Sequence, residues 1–448
     1  MLINCNFDLI KFMNDEYENK SKKKKESTKN TKSSEEQIIN QAIKFHLQGN
    51  MKEAVKYYQY CINQGFNDHR VFSNFGIILK ALGKLEEAVI LIRKAIELKS
   101  DLPETHYNLG IILKDLGKLQ EAETLERKAI ELKPNFEEAH NDLGGILLDL
   151  GKLQEVILLS KSTLELKSIT QGDKLRALLQ ITIANLLQED FSETLLNINK
   201  TNELINQGVI NTIKDPKTKN HLWFLSQFIS SLYPQLKKND HNSNSEKIPH
   251  IGESHCLSFA HQTLSISSQV KKIQPVMITG GKAWHFANNK NNRWKDSLTQ
   301  QMKNHTYSDE VFISFGEIDC RKNEGILSYA VKKDIDISEV CEKTIKGYLN
   351  HMEITLSSNH SKRYYFGVPA PTMKQELQDE LDKKRIEIIK IYNSLLKKEV
   401  LSRGSYFLDV YDLTSNINGE NNNIHMCDKI HLSPKCLSIL FKNHLYKP

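Results

Sequence analysis

The sequence predicts a chain of two parts, an all-α solenoid followed by a three-layer α/β domain. Three features predict it: a 34-residue repeat in the first half, strand–helix alternation from about residue 248, and a polar stretch between the two. The 448 residues suffice for two or three domains, since one domain usually holds about 100–200 residues. We predict a disordered Lys-rich segment, repeats with a helical cap, a linker and an α/β domain, at residues 1–34, 35–236, 237–247 and 248–448.

The composition narrows the class of protein. Hydrophobic residues make up 39% of the chain and no apolar run approaches 18 residues, so we expect ordered domains and no membrane span. The net charge of +6 arises from seven lysines and one glutamate between Lys20 and Lys32. The rest is neutral, which argues against a nucleic-acid partner. Seven cysteines, an odd number, and a first fifteen residues without secretion-signal features favour a cytoplasmic protein.

Glycine and alanine mark the repeat at fixed intervals. Two series recur every 34 residues, Gly49, Gly83, Gly117 and Gly151, and Ala54, Ala88 and Ala122. Each unit contains two amphipathic helical patterns, and one such pair cannot bury its apolar stripe alone, so neighbouring pairs must stack. This pattern resembles the tetratricopeptide repeat (TPR) family over residues 35–170. Residues 171–236 lose the glycine marks, and we interpret them as degenerate repeats with a capping helix.

The TPR resemblance implies a protein or peptide partner in the concave groove of the solenoid. In that family the sixth position of each repeat faces the groove. The candidate groove residues are that position and nearby lysines, Asn74, Lys80, Asn108, Lys114 and Asp142. A ladder of these side chains could grip an extended backbone or an acidic chain end. The alternative is that they form the solvated face of the helices.

Short apolar runs alternate with helical patterns from about residue 248. The runs are IPHIG (248–252), VMITG (276–280), EVFISFG (310–316), RYYFGVP (363–369) and YFLDVYDL (406–413). This alternation predicts a parallel sheet covered by helices on both faces. In such sheets functional residues collect at the carboxyl ends of the strands. The segments that follow each run are therefore the candidates for a functional site.

Residues with catalytic chemistry follow these runs in a fixed order. Ser254 follows the first run, and the C-terminal region holds Asp428 and His431. A carboxylate three residues before a histidine can bind one ring nitrogen, which leaves the other nitrogen free to take a proton from a serine hydroxyl. The second run ends in Gly280, and Gly281 follows it. The third run is followed by three charged residues, Glu317, Asp319 and Arg321.

This order resembles the SGNH or GDSL hydrolase superfamily over about residues 248–448. The resemblance implies a flavodoxin-like three-layer fold and an esterase or O-acyltransferase that acts on an ester, including an acylated glycan, without a cofactor or metal. By position, Ser254 would be the nucleophile, His431 the base and Asp428 its orienting carboxylate. Gly281 or Gly280 and the Ser254 amide would bind the oxyanion, and Glu317, Asp319 and Arg321 form the third block beside it.

Two residues depart from the family pattern. Glu253 stands beside the nucleophile where aspartate is usual. Ile318 replaces an asparagine that donates to the oxyanion, and loss of one such donor typically costs about 2.7–4 kcal/mol of transition-state stabilisation. Arg321 is the first candidate to replace this donor, and it could instead pair with Glu317 or with a substrate carboxylate. The alternative function is a catalytically silent domain in an interaction scaffold.

Three other interpretations use the same loops. A zinc site would draw on cysteines and histidines near the strand ends, Cys256, Cys320, Cys427, His425 and His431. Cys256 could replace Ser254 as the nucleophile. The Gly280-Gly281-Lys282 stretch has some character of a phosphate loop, although it lacks the upstream glycine and the following Ser or Thr.

Overall fold

The structure, a computed structural model, describes residues 30–236, 245–303, 308–322, 324–356, 362–372 and 380–448, with side chains omitted at 30–33 and 380–382. Two predicted segments lie largely outside these residues: the Lys-rich segment up to residue 29, and the linker at 237–244. The chain forms two compact units, Met1–Ser100 and Asp101–Pro448. The domain boundaries drawn from the sequence stay predictions.

The first unit consists of paired helices, as the 34-residue period predicts. The helices that the structure describes here are α1 (Asn30–Leu47), α2 (Met51–Asn63), α3 (His69–Ala81) and α4 (Leu85–Leu98). Each pair buries an apolar stripe; in the second pair Phe75, Leu79 and Leu91 are at most 3% exposed. Arg70 joins the two pairs, because its Nη1 and Nη2 donate to the Glu36 carboxylate at 3.0 and 2.7 Å.

The second unit begins with helices of the same repeat. They are α5 (Pro103–Asp115), α6 (Leu119–Leu132), α7 (Glu137–Asp149), α8 (Leu153–Leu164), α9 (Gln171–Leu187), α10 (Phe191–Asn206) and α11 (Pro216–Leu236). Helices α5 and α7 end at a left-handed glycine, Gly117 (φ +72°) and Gly151 (φ +71°) respectively. Glycine adopts this conformation without the steric cost that a Cβ atom brings. No helix in the described ranges has the length and apolar character needed to cross a membrane.

The remainder of the second unit is a mixed sheet with helices on both faces. The strands are β1 (Glu246–Gly252), β2 (Thr263–Ile266), β3 (Gln269–Met277), β4 (Glu310–Ser314), β5 (Lys362–Phe366), β6 (Tyr406–Leu408) and β7 (Leu445–Tyr446), in the order β2-β3-β1-β4-β5-β6-β7. The five central strands are parallel. The helices are α12 (Ala283–Ala287), α13 (Arg293–Lys303), α14 (Gly325–Lys333), α15 (Ile337–Leu356), α16 (Glu380–Ser402), α17 (Val410–Thr414) and α18 (Leu437–Asn443).

The prediction of a parallel sheet is wrong at its edges, and the predicted apolar runs differ in their bounds from the strands that form. Both edge strands are antiparallel, β2 against β3 and β7 against β6. Strand β3 ends at Met277, so most of the apolar run 276–280 lies in the loop that follows it. Strand β1 includes the last two residues of the predicted linker. Strand β2 alternates exposed and buried residues as a sheet edge does, and its four residues are too few to give a clear sequence signal.

Apolar side chains cover both faces of the sheet. One face packs against helices α12 to α16 through a cluster that includes Ile251, Ile313 and Tyr348. The other face carries Ile248 and Phe312 in a second cluster closed by helix α18. The central strands are therefore buried on both faces, which explains their continuous apolar runs.

Helices of the repeat region pack directly on the sheet domain within the second unit. Residues of α9 and α11 share one apolar cluster with Leu257 and Met277, which belong to the sheet domain. Helix α13 also binds two repeat turns. Asp296 Oδ2 accepts from the Leu119 amide at 2.9 Å and so caps α6, and Ser297 Oγ donates to the Asp149 carbonyl at 2.7 Å.

We expect Gly117→Ala to destabilise the second unit more than Gly404→Ala. The two glycines have φ values of +72° and +71°, so either alanine suffers the left-handed penalty of about 1–2 kcal/mol. A Cβ atom at Gly117 would also lie 2.5 Å from the Asn292 carbonyl oxygen, whereas nothing lies within 4 Å of one at Gly404. Calorimetric unfolding measures the difference, expected to be about 1–3 kcal/mol. Equal Tm values for the variants would contradict the close packing of α13 on this turn.

Candidate active site

Ser254 lies immediately beyond the carboxyl end of β1, at the start of a 3-10 helix that spans Ser254–Phe259. The turn is tight because β1 ends at Gly252, where an added Cβ atom would lie 2.4 Å from Ser314 Oγ on the neighbouring strand. The Ser254 side chain is half-buried at this edge. Sequence reasoning predicted this placement from the strand and the Gly-x-Ser order.

The structure brings Ser254 together with His431 and Asp428. The Ser254 Oγ lies 2.8 Å from His431 Nε2, although the two residues are 177 positions apart. On the other side of the ring, His431 Nδ1 lies 2.7 Å from Asp428 Oδ2. Asp428 Oδ1 also accepts from the amides of Ile430 and His431, at 2.7 and 2.6 Å, so the loop holds its own carboxylate in place. These contacts orient Nδ1–H toward Asp428 and leave Nε2 as an acceptor.

The pKa of His431 is below its usual value. Burial lowers it, the hydrogen bond to Asp428 acts to raise it, and the charge of His255 lowers it further. The rings of His255 and His431 have centroids 4.7 Å apart. His431 is therefore neutral at neutral pH, which is the form that can accept a proton.

Glu253 and His255 form a buried ion pair beside the serine. The His255 Nδ1 contacts Glu253 Oε1, and both side chains are less than 10% exposed. Burial alone would raise the pKa of Glu253, but His255 holds it well below its usual range. Burial likewise acts to lower the pKa of His255, and the Glu253 carboxylate raises it above its usual value. These shifts favour the ionised forms of the pair, so His255 places more positive charge beside His431 than an isolated imidazole would.

Glu253 also binds the serine itself. Its Oε2 accepts from the Ser254 amide at 2.6 Å and from Ser254 Oγ at 2.5 Å. The serine hydroxyl therefore has two acceptors within reach, the Glu253 carboxylate and His431 Nε2. The amide of Ser254, predicted as an oxyanion donor, is occupied.

A second predicted oxyanion donor is occupied as well. The Gly281 amide donates to the Ile278 carbonyl at 2.9 Å within a turn. Gly280 lies in the same loop, and its amide makes no backbone hydrogen bond within the described residues. Strand β3 and β1 bring this loop near the serine, because the Ile278 amide donates to the Gly252 carbonyl at 2.7 Å.

The block after β4 contains one ion-paired arginine and one structural carboxylate. Arg321 donates to Glu317 Oε2 from Nε at 3.0 Å and from Nη2 at 2.6 Å, which is one of the alternatives that the sequence left open. Arg385 Nη2 also reaches Glu317, at 3.2 Å. Arg321 remains close enough to Glu253 to lower the pKa of that carboxyl.

Asp319 does not have the substrate-facing place that its position suggested. Its two carboxylate oxygens accept from the amides of Ala283 and Trp284, at 2.8 and 3.0 Å, at the start of α12. The side chain is fully buried, and burial raises the pKa of Asp319 to about 6 although the two amides oppose this. We therefore correct its assignment from substrate binding to holding α12.

The predicted groove residues fall in both units. In the first unit, Asn74 lies beside the Tyr58 hydroxyl and Lys80 is half-buried at the end of α3. In the second unit, Asn108 is half-buried on α5, and Lys114 Nζ donates to Asp142 Oδ1 at 3.1 Å. Their role in binding a partner stays a prediction.

Two of the other interpretations lose their basis in the structure. Cys256 is fully buried and burial raises the pKa of its thiol well above the usual value, so it is a core residue and a poor nucleophile. In the interpretation as a phosphate loop, Lys282 would bind the phosphate, but its Nζ pairs with Glu324 at 2.6 Å. For the zinc interpretation, no group of three or more metal-binding side chains occurs within the described residues.

Sequence reasoning missed Phe228 and His255. The Phe228 ring stacks on the His431 imidazole, with centroids 3.6 Å apart and planes 14° apart. Phe228 belongs to α11, which the sequence marked only as a capping helix, and no local signal ties it to a residue two hundred positions later. His255 had a signal, since it directly follows the candidate nucleophile.

Comparisons with known proteins identify the repeats. Two family models match, "TPR repeat" at residues 76–117 and "Tetratricopeptide repeat" at residues 103–136. A search of curated proteins finds no significant match. The SGNH resemblance of residues 248–448 stays a prediction.

Solved structures similar to this chain include two of proteins named MamA and one of YrrB. Each alignment covers less than half of this chain. A MamA protein is 19% identical over 39% of this chain and 93% of its own, with a TM-score of 0.36. MamA from Desulfovibrio magneticus RS-1 is 18% identical over 39% and 96%, with a TM-score of 0.35. YrrB, described as a TPR protein with an unusual peptide-binding site, is 18% identical over 44% and 100%, with a TM-score of 0.36. The family models thus confirm the predicted tetratricopeptide repeats where they match, at residues 76–136.

Proposed function

We propose that this chain is a serine-dependent esterase or O-acyltransferase of the SGNH type. The observation that carries the proposal is the hydrogen-bonded series Ser254–His431–Asp428, with distances of 2.8 and 2.7 Å. The sheet supports it, because its five parallel strands follow the order second, first, third, fourth, fifth, which is the flavodoxin-like order. Ser254 follows the first of these strands, beside the point where the order reverses.

The proposed reaction proceeds through an acyl-enzyme. The Ser254 Oγ attacks the ester carbonyl carbon while its proton passes to His431 Nε2, and Asp428 stabilises the imidazolium that forms. The carbon–oxygen bond to the leaving alcohol then breaks, and His431 returns the proton to that alcohol. Water or a sugar hydroxyl next loses its proton to His431 and attacks the acyl group. Ser254 leaves, takes the proton back, and the product is the free acid or the new ester.

The oxyanion requires donors other than those usual in the family. The amides of Ser254 and Gly281 are engaged and Ile318 has no donor. We assign this role to Arg321, whose charge lies close to Glu253, and to the Gly280 amide. A guanidinium held by Glu317 keeps its charge and is one-third exposed at the site.

The repeats are consistent with protein–protein interaction, and we propose that they recruit the protein or peptide that carries the ester or the acylated glycan. The division into repeats (35–236), linker and hydrolase-like domain (248–448) belongs to this proposal, as does the cytoplasmic location. Free thiols at six cysteines of the described chain agree with a reducing compartment.

A second candidate is a catalytically silent domain within an interaction scaffold. The observation that favours it is the engagement of two oxyanion amides together with Ile318. Loss of a single donor typically costs about 2.7–4 kcal/mol, so loss of all three without replacement would leave no useful rate. The labelling experiment described next separates the two candidates.

Replacement of the nucleophile should abolish both labelling and turnover. We expect the full-length chain to react with a fluorophosphonate probe and to hydrolyse p-nitrophenyl acetate, and Ser254→Ala to lose both. Mass spectrometry of the labelled peptide identifies the modified residue. Ser258→Ala is the matched control, since Ser258 lies in the same short helix and its buried hydroxyl has no partner in the described chain. Absence of any Ser254-dependent label in the parent chain would support the silent scaffold.

The acid limb of kcat/KM should lie below pH 6.5, the ordinary histidine value, because the pKa of His431 is lowered. As pH falls through that lowered pKa, the imidazole gains a proton and can no longer accept one from Ser254. A pH–rate profile measures this limb. His255→Gln removes a neighbouring positive charge, so the pKa of His431 should rise and the limb should move to higher pH. A limb that stays in place in His255→Gln would contradict the charge coupling.

Arg321→Gln tests the assignment of the oxyanion donor. We expect kcat to fall by about 100- to 1,000-fold with little change in KM, because the interaction is made with charge that develops in the transition state. Arg385→Gln removes the other arginine bound to Glu317 and is the control for a merely structural effect. Equal losses in the two variants would assign Arg321 to structure alone.

A further inference from the structure

A cavity of about 350 Å³ lies within the second unit, between helices of the repeat region and the loop that follows β3. Helices α7, α9 and α11 form most of its wall, and Thr279 and Arg293 close it from the sheet domain. This volume falls within the range of about 300–1,000 Å³ that is usual for small-molecule sites. Neither the family matches nor the proposed triad assigns a role to it.

The wall of the cavity carries an excess of positive charge. Four cationic side chains line it against two carboxylates, and one pair is internally neutralised because Lys114 binds Asp142 at 3.1 Å. Arg176 and Lys217 have no direct ion pair among the described residues, although the charge of Arg176 acts on Asp142 and that of Lys217 acts on Asp215. Arg293 has a buried Nε without a hydrogen-bond partner among the described residues.

The other carboxylate does little to balance these charges. Asp149 is 5% exposed, and burial raises its pKa although Arg293 and Lys114 act to lower it. Its ionised form is therefore less favoured than that of an exposed aspartate. Unpaired cations in a partly enclosed site attract anions strongly, since the surrounding protein screens charge less than bulk water does.

Apolar side chains also line the cavity. There are five of them, Leu148, Leu179, Ile183, Leu222 and Leu225. A ligand that suits this lining has both an anionic group and an apolar body. The three cations other than Lys114, namely Arg176, Lys217 and Arg293, match a dianion better than a monoanion. A phosphate monoester carries about two charges at neutral pH.

The cavity adjoins the proposed active site. Helix α11 contributes Leu225 to the cavity and, three residues later, places Phe228 against His431. Thr279 directly precedes Gly280, one of the proposed oxyanion donors. His221 lines the cavity, and although desolvation lowers its pKa, the charge of Glu253 acts to raise it, which agrees with a short separation from the carboxylate beside Ser254.

We propose that this cavity binds a phosphate monoester with an apolar body, its phosphoryl group held by Arg176, Lys217 and Arg293. The binding site stands on the cavity and its charges alone. Its use as the subsite for a phosphorylated substrate rests on the proposed function. The enzyme would then act on esters that carry a phosphoryl group at some distance from the scissile bond.

Calorimetric titration of the full-length Ser254→Ala variant with phenyl phosphate tests the binding site without turnover. We expect binding of phenyl phosphate that weakens with added salt, weaker binding of benzoate and no binding of phenol. Arg176→Gln and Lys217→Gln should each weaken binding at least tenfold. Lys174→Gln, an equal change of charge on α9 outside the cavity lining, should leave the affinity within twofold. Lys217 is exposed, so its variant keeps the test valid if Arg176→Gln fails to fold.

Several results would overturn the proposal. Absence of binding, or equal affinity in Lys217→Gln and Lys174→Gln, would remove the site. Stronger binding of benzoate than of phenyl phosphate would overturn the phosphate monoester as the ligand and indicate a carboxylate instead. In the active chain, phenyl phosphate should raise the KM for p-nitrophenyl acetate and leave kcat unchanged, and binding without such competition would remove the role as a substrate subsite. Binding in a chain without Ser254-dependent hydrolysis would overturn the proposed function and keep the site.

Discussion

The apolar cluster between helices α9 and α11 and the start of the sheet domain is the contact on which the functional region depends. Leucines of both helices pack against Cys256 and Leu257, in the short helix that follows β1, and against Met277 at the end of β3. Burial of one such side chain stabilises a fold by about 1.5–3 kcal/mol, and this cluster contains many. It fixes α11 over the carboxyl end of the sheet. Phe228 therefore covers His431, and the same helix forms a wall of the basic cavity.

Electrostatics beside Ser254 divides two histidines into two roles. His255 pairs with Glu253 and has a raised pKa, whereas His431 pairs with Asp428 and has a lowered pKa. Both rings are buried, so burial alone does not separate them. The difference is that Glu253 and Glu317 both act to raise the pKa of His255, whereas the charge of His255 opposes the effect of Asp428 on the pKa of His431. Through His255, Glu253 helps to keep the pKa of the base His431 low, which favours an enzyme. Glu253 also accepts the hydrogen bond of the Ser254 amide, which favours a catalytically silent domain. Both candidate functions therefore depend on this one carboxylate.

Much of the fold could be predicted because its signals are local. The 34-residue glycine series marked the ends of repeat helices, and apolar runs marked the central strands near residues 248, 310 and 363. The edge strands escaped because β2 has four residues and β7 has two, too few for a clear periodicity. Asp319 was misassigned because a carboxylate after a strand has the same sequence signature whether it binds substrate or caps a helix 36 residues earlier.

The sequence by itself determined the repeat period, the alternation of the central strands with helices, and the choice of the serine, histidine and aspartate that meet at the sheet edge. These follow from local spacing and from the geometry common to parallel sheets. Only the tertiary structure decided which amides remain available to an oxyanion, which arginine is paired, and that α11 covers His431. Such facts depend on distances between residues far apart in the chain, and no local pattern of side chains encodes a distance of that kind.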